Sequence, residues 1–219
     1  MTAALDPAQA RAIAARVVHD VVGARRFLDA ALAERLTAAP RAASTGLVQE
    51  LVYGTLRRYH ELLAAAALYL RKPLTPKDGD IHALLLIGIY QLRYMRVAPH
   101  AAVDATVSAT EALAKPWAKG LINACLRRVL REPDRVAAAI DATDESRYCH
   151  PRWLIEQIAA AYPERWQAIL AANNERPPMT LRVNRRVTDI ESYIALLRAA
   201  GMDATPRPPL DSAIVLAEP

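Results

Sequence analysis

Ile81-His82-Ala83-Leu84-Leu85-Leu86-Ile87-Gly88-Ile89-Tyr90-Gln91-Leu92 is apolar around nearly the whole circumference of a helix, and the helical register continues to Met95. A helix without a polar face is covered on all sides, so this stretch predicts the central, buried helix of an all-α core. Its uncharged run, Ala83 to Leu92, is too short to span a bilayer, which takes about 20 residues.

Helical patterns extend outward from it in both directions. Upstream, Asp78 or Asp80 is placed to cap the central helix, and Pro73 and Pro76 mark a loop. A long pattern covers Leu47 to Leu70 with a break near His60, and another runs from Phe27 to Leu36. Asp6-Pro7 reads as a cap and first helical residue. It opens a stripe of Ala10, Ile13, Ala14, Val17, Val18 and Val21, with Arg11 and Arg16 outside it. Downstream, Pro99 opens a helix to Leu113, and Pro116 opens one to Arg131. These segments predict a mainly α fold, with an all-α bundle over residues 1–140.

The pattern changes over 141–219. Asp141 to Arg147 is polar and reads as a linker or helix cap. Two short helices follow, Pro151 to Tyr162 and Glu164 to Asn173. Met179 to Asn184 and Ser212 to Leu216 read as strands, with a helix from Asp189 to Ala200 between them, closed by Gly201. Strand, helix, strand is an incomplete α/β unit with open edges, and the chain is read as part of a longer protein.

The chain has 219 residues, a net charge of +5, 53% hydrophobic and 5% aromatic residues. This hydrophobic content excludes disorder, and the mild basicity suits a nucleic-acid partner. Cys125 and Cys149 have no C-x-x-C spacing, which fits a reducing compartment. With no signal-peptide pattern and no membrane segment, the expected location is the cytoplasm. The seven glycines form no G-x-G-x-x-G or phosphate loop, and the five histidines have no metal-ligand spacing. His100 reads as a cap. Cys125 reads as a buried apolar side chain and Cys149-His150 as structural. This part of the chain is therefore expected to hold no catalytic residue, cofactor or metal.

What remains is basic clusters. Along the helix to Arg131, Ile122, Cys125, Leu126, Val129 and Leu130 form an apolar stripe. Asn123, Arg127, Arg128 and Arg131 fall on the other side, with Lys119 near the boundary. A second cluster is Arg176, Arg182, Arg185 and Arg186, with Asn184 at the strand end. A third is Arg11, Arg16, Arg25 and Arg26. Basic faces free of acids suit a phosphate backbone, and a strand end with paired arginines suits a bent single strand or hairpin loop. The candidate RNA-binding residues are Lys119, Asn123, Arg127, Arg128, Arg131, Arg182, Asn184, Arg185 and Arg186.

Four stretches carry a resemblance. Glu50 to Arg58, Asp80 to Leu92, Pro99 to Val107 and Lys119 to Arg128 resemble the hallmark helices of NusB-type domains, in order. With Lys115 to Gly120, they look closest to the amino-terminal half of the ribosomal RNA small subunit methyltransferase B family. His150 to Leu154 and Leu181 to Asn184 are similar to that family's linker domain. The resemblance implies a NusB-like bundle followed by a small, incomplete, RRM-like α/β domain. It also implies a role in rRNA processing: positioning small-subunit ribosomal RNA for a catalytic domain absent from this chain. That domain would use S-adenosylmethionine and a cysteine nucleophile to methylate C5 of a cytosine. Neither Cys125 nor Cys149 lies in the Pro-Cys or Thr-Cys-Ser context of that nucleophile. Ser44-Thr45-Gly46 stands where the family often has Asp-Arg. The alternative is a free-standing NusB-like adaptor, bound to protein or RNA in transcription antitermination.

Overall fold

Asp6 starts the first helix, α1 (Pro7–Val22), its carboxylate accepting from the Ala8 amide at 3.1 Å with Pro7 in the first turn. The structure, a computed structural model, describes residues 6–37 and 45–217. Ala8, Ala10, Ala12, Ala14, Ala15, Val17 and Val18 are all buried. Such small side chains let neighbours approach from every side: α2 (Leu28–Thr37), α3 (Thr45–Arg57), α5 (Gly79–Tyr94) and α6 (Pro99–Ala112) all pack on α1. The sequence predicts Arg11 outside the stripe, but it is buried, donating to the Pro7 carbonyl at 2.8 Å, and its burial lowers its pKa.

α5 is buried along most of its length, from Ile81 through Gln91 with only His82 half-buried. Its approach to α3 depends on Gly54, where a Cβ would lie 2.0 Å from the Tyr90 ring. The break predicted near His60 falls at Arg58, between α3 and α4 (Tyr59–Ala67). α7 (Lys119–Arg131) packs on α5, α6 and α8 (Pro133–Ile140). It begins at Lys119 rather than Pro116. Pro116–Ala118 forms a separate 3-10 turn, closed by the Ala118 amide on the Lys115 carbonyl at 3.0 Å.

The polar segment predicted as a linker or helix cap holds a cap and a short helix: Thr143 caps α9 (Asp144–Tyr148), accepting from the Ser146 amide at 3.2 Å. α9 packs on α4 and on α10 (Arg152–Ala161) and α11 (Trp166–Asn173). By packing, the chain divides into two compact units, Met1–Asn174 and Glu175–Pro219. Polar contacts tie the end of α11 to the residues after α9: Asn173 donates to His150 Nε2 at 2.7 Å, and Asn174 donates to the Tyr148 carbonyl at 2.7 Å.

The described residues of the second unit form β1 (Thr180–Arg182), α12 (Ile190–Ala199), β2 (Ala204–Pro206) and β3 (Ala213–Leu216). The sheet order is β1-β3-β2, antiparallel throughout, with Leu181 opposite Ile214 and Thr205 opposite Val215. β2 is the strand the sequence reading lacks. It is three residues long and ends on a proline, which an edge strand tolerates. Val183, Ile194, Leu197, Ala204, Ile214 and Leu216 make this unit's own core. Asp189 caps α12 by accepting from the Ser192 amide at 2.8 Å. Gly201 ends that helix's turn at φ +78°, a conformation open to glycine. No described helix is long and apolar enough to cross a membrane.

Candidate nucleic-acid interface

α7 is held to the first unit by Ile122, Cys125, Leu126 and Val129, all buried. Leu126 meets α5 where Gly88 leaves room, since a Cβ there would lie 2.8 Å from the Leu126 methyls. Leu130, predicted in this stripe, is instead 40% exposed, because eight residues bring it round toward Lys119 and Asn123 rather than Ile122.

The basic side chains of α7 divide into two groups. Arg127 is exposed, and its Nε donates to Asn123 Oδ1 at 2.9 Å, one turn back. Arg131 is exposed one turn further on. Among the described residues no carboxylate lies within 4 Å of either guanidinium. Arg128 faces elsewhere: its guanidinium lies 4.7 Å from the Tyr69 ring centroid, and its Nε donates to Glu132 at 3.2 Å. Lys119 reaches back to Glu111 at 2.5 Å in an exposed pair. The nearer residue of each helix turn thus belongs to the protein's own surface network, while Arg127 and Arg131 present their charge outward. Asn123 orients Arg127.

In the second unit, Arg182, Val183, Asn184, Arg185, Arg186 and Ser212 line an open recess of about 580 Å³. Asn184 shapes it, with Oδ1 accepting from the Arg186 amide at 3.1 Å and its carbonyl from the amides of Val187 and Thr188. Such a self-bonded turn is what asparagine forms locally. Arg185 is paired with Asp211 at 2.6 Å, whereas no carboxylate among the described residues lies within 4 Å of Arg182 or Arg186. Arg176 does not line the recess.

The third cluster does not assemble. Arg11 is buried, Arg16 donates to the Ala112 carbonyl at 3.0 Å, and Arg26 is held by Glu34 at 2.5 Å and Asp20 at 3.6 Å. Ala112, Glu34 and Asp20 lie on α6, α2 and α1, so arginine spacing could not reveal them.

Neither cysteine sits in a reactive setting. Both thiols are buried, and burial pushes both upward in pKa, opposite to the direction that activates a nucleophile. Cys149 takes a left-handed backbone, φ 60°, at the end of α9. His150 Nδ1 lies 2.6 Å from the Tyr148 carbonyl and its Nε2 accepts from Asn173, so both ring nitrogens are engaged. Among the described residues no group of three His, Cys, Asp or Glu side chains is placed to hold a metal. One exposed residue outside the sequence-based set lies in the 3-10 turn just before α7: Trp117, 56% exposed. Its signal was its position between Lys115 and Lys119.

Comparison with known proteins agrees with this architecture. The NusB family model matches residues 8–131, and the model for the ferredoxin-like domain of RsmF/B-like methyltransferases matches 150–219. The chain is 43% identical to ribosomal RNA small subunit methyltransferase B of Pseudomonas syringae pv. tomato, over 95% of this chain and 46% of that protein. It is 44% identical to the Pseudomonas putida protein of the same name, over 95% and 48%, and 43% identical to that of Escherichia coli O1:K1, over 79% and 40%. The chain therefore spans about half the length of the curated relatives it matches, or less. The crystal structure of PH0851 shares the fold at TM-score 0.61 and 15% identity, covering 100% of this chain and 50% of that one. The helical bundle with its basic α7, the small sheet after it and these relatives agree: the chain belongs to the NusB family, with an RsmF/B-type ferredoxin-like domain following, and is a homologue of ribosomal RNA small subunit methyltransferase B.

Proposed function

We propose that this chain is the RNA-binding region of an S-adenosylmethionine-dependent methyltransferase that modifies C5 of a cytosine in small-subunit ribosomal RNA in the cytoplasm. The relatives' names supply the reaction class and the RNA. The residues here supply grip. No glycine-rich cofactor loop occurs in this chain, and its two thiols are buried with raised pKa. In this reading the chemistry belongs to a catalytic domain in the part of the relatives that the chain does not span. Its target base must leave the stack to be reached.

The observation that carries the reading is the outward pair Arg127 and Arg131. They lie one helical turn apart, about 6 Å along the axis, with no carboxylate within 4 Å among the described residues. Guanidinium groups bind phosphate oxygens bidentately. Arg182 and Arg186 offer a second phosphate site in the other unit.

Salt-dependent affinity tests it. Each phosphate contact contributes a log-log slope of about −0.7 on single strands. The double variant Arg127→Glu, Arg131→Glu is expected to weaken binding of a small-subunit rRNA hairpin and to shallow that slope by about one to two units. An unchanged affinity and slope would remove this face from the RNA site. The rival, a protein-docking adaptor, would be favoured by weak RNA binding at all salt concentrations in the unaltered chain.

A further inference from the structure

Trp117 is 56% exposed in the 3-10 turn that leads into α7. Indole carries a large apolar face, and tryptophan is highly buried on average. Phe27 and Trp153 are also exposed, but the arginine next to each is held by an acid. Arg26, next to Phe27, is bound by Glu34 and Asp20. Arg152, next to Trp153, pairs with Glu156 and lies in the field of Glu145 and Asp144.

Trp117 stands differently. Ala118 and Lys119 have right-handed backbone, so the 3-10 turn leads directly into α7. Continued at about 100° per residue, Trp117 falls closest to Ala124 and then Arg131 on the exposed side of the helix, with Arg127 about 80° round from it. The strip between the indole and the arginines is bare. A Cβ at Gly120 would meet nothing within 4 Å, and Ala124 is exposed. Arg127 and Arg131 lie about 15 Å and 21 Å further along the axis at 1.5 Å per residue, within reach of one short single strand. The flanking lysines are already engaged: Lys115 with Asp78 and Asp80, and Lys119 with Glu111. What the indole offers an RNA is therefore its face.

We propose that Trp117 is a stacking platform for an unpaired base of the RNA whose phosphates Arg127 and Arg131 hold. The proposal rests on the RNA reading above and narrows it: the ligand is single-stranded where it crosses the start of α7. Every base has a π-face, so the platform selects strandedness rather than sequence.

The test uses the whole chain and fluorescein-labelled RNA: a mixed-sequence single strand, the same strand with abasic nucleotides, and a blunt duplex. Trp117→Leu keeps apolar bulk and removes the aromatic face; Trp117→Phe keeps a smaller one. Trp117→Leu is expected to weaken single-strand binding by about 5- to 100-fold. It should leave the abasic strand, the duplex and the salt slope unchanged, and Trp117→Phe should recover most of the loss. Single-strand affinity within twofold of the parent in Trp117→Leu overturns the stacking role. If Arg127→Glu, Arg131→Glu still weakens binding in that case, the phosphate face stands and the platform alone is lost. If that double variant is also silent, the RNA reading itself fails.

Discussion

Arg127 and Arg128 are adjacent in sequence and differ in surroundings because a helix turns by about 100° between them. Arg128 lies over the Tyr69 ring at 4.7 Å, a contact worth roughly 0.5–1 kcal/mol at an exposed site. Arg128→Ala is expected to lower unfolding stability by about that amount in a urea titration while leaving RNA affinity near that of the parent. Arg127→Ala should do the reverse, costing affinity and sparing stability, since its one side-chain partner is the exposed Asn123 contact. A sequence reading placed both on one basic face. The aromatic that captures Arg128 comes from the end of α4's segment and is invisible in α7's own spacing.

At the scale of elements, two glycines of helical segments have opposite meanings. Gly54 sits where α3 meets α5, with the Tyr90 ring 2.0 Å from the position of a Cβ, and the Tyr90 hydroxyl is bonded to Glu50 at 2.6 Å. Gly54→Ala must push that ring or separate the helices. It is expected to cost about 1–3 kcal/mol, seen as a lower urea midpoint by circular dichroism. Gly120 meets nothing. Gly120→Ala is expected to raise stability by up to about 1 kcal/mol through helix propensity alone. Both glycines lie within helical patterns, and only the packing tells them apart. The same holds for strands: β1 alternates and β3 is a short apolar run, both legible in sequence, whereas β2 exists because β3 offers it an edge.

Across the whole molecule, each unit has its own apolar core. Cys125 and Cys149 are both buried in the first unit, so their reactivity reports its integrity. In the native chain, alkylation by iodoacetamide is expected to be slow at both thiols and to accelerate only as urea opens the unit. Rapid native-state modification of Cys149 would contradict its burial. The sequence by itself determined the helical bundle, the basic α7 and most element limits. Those features are local: apolar side chains recurring every 3.6 residues, Asp and Pro at helix starts, alternation in short strands. Only the tertiary structure decided which charges are available to a ligand. It buried Arg11, gave Arg16 and Arg26 partners, stacked Arg128 on Tyr69, paired Lys119 with Glu111 and left Arg127, Arg131 and the face of Trp117 outward. A side chain's freedom depends on partners brought to it from other elements, and helical spacing carries no record of them.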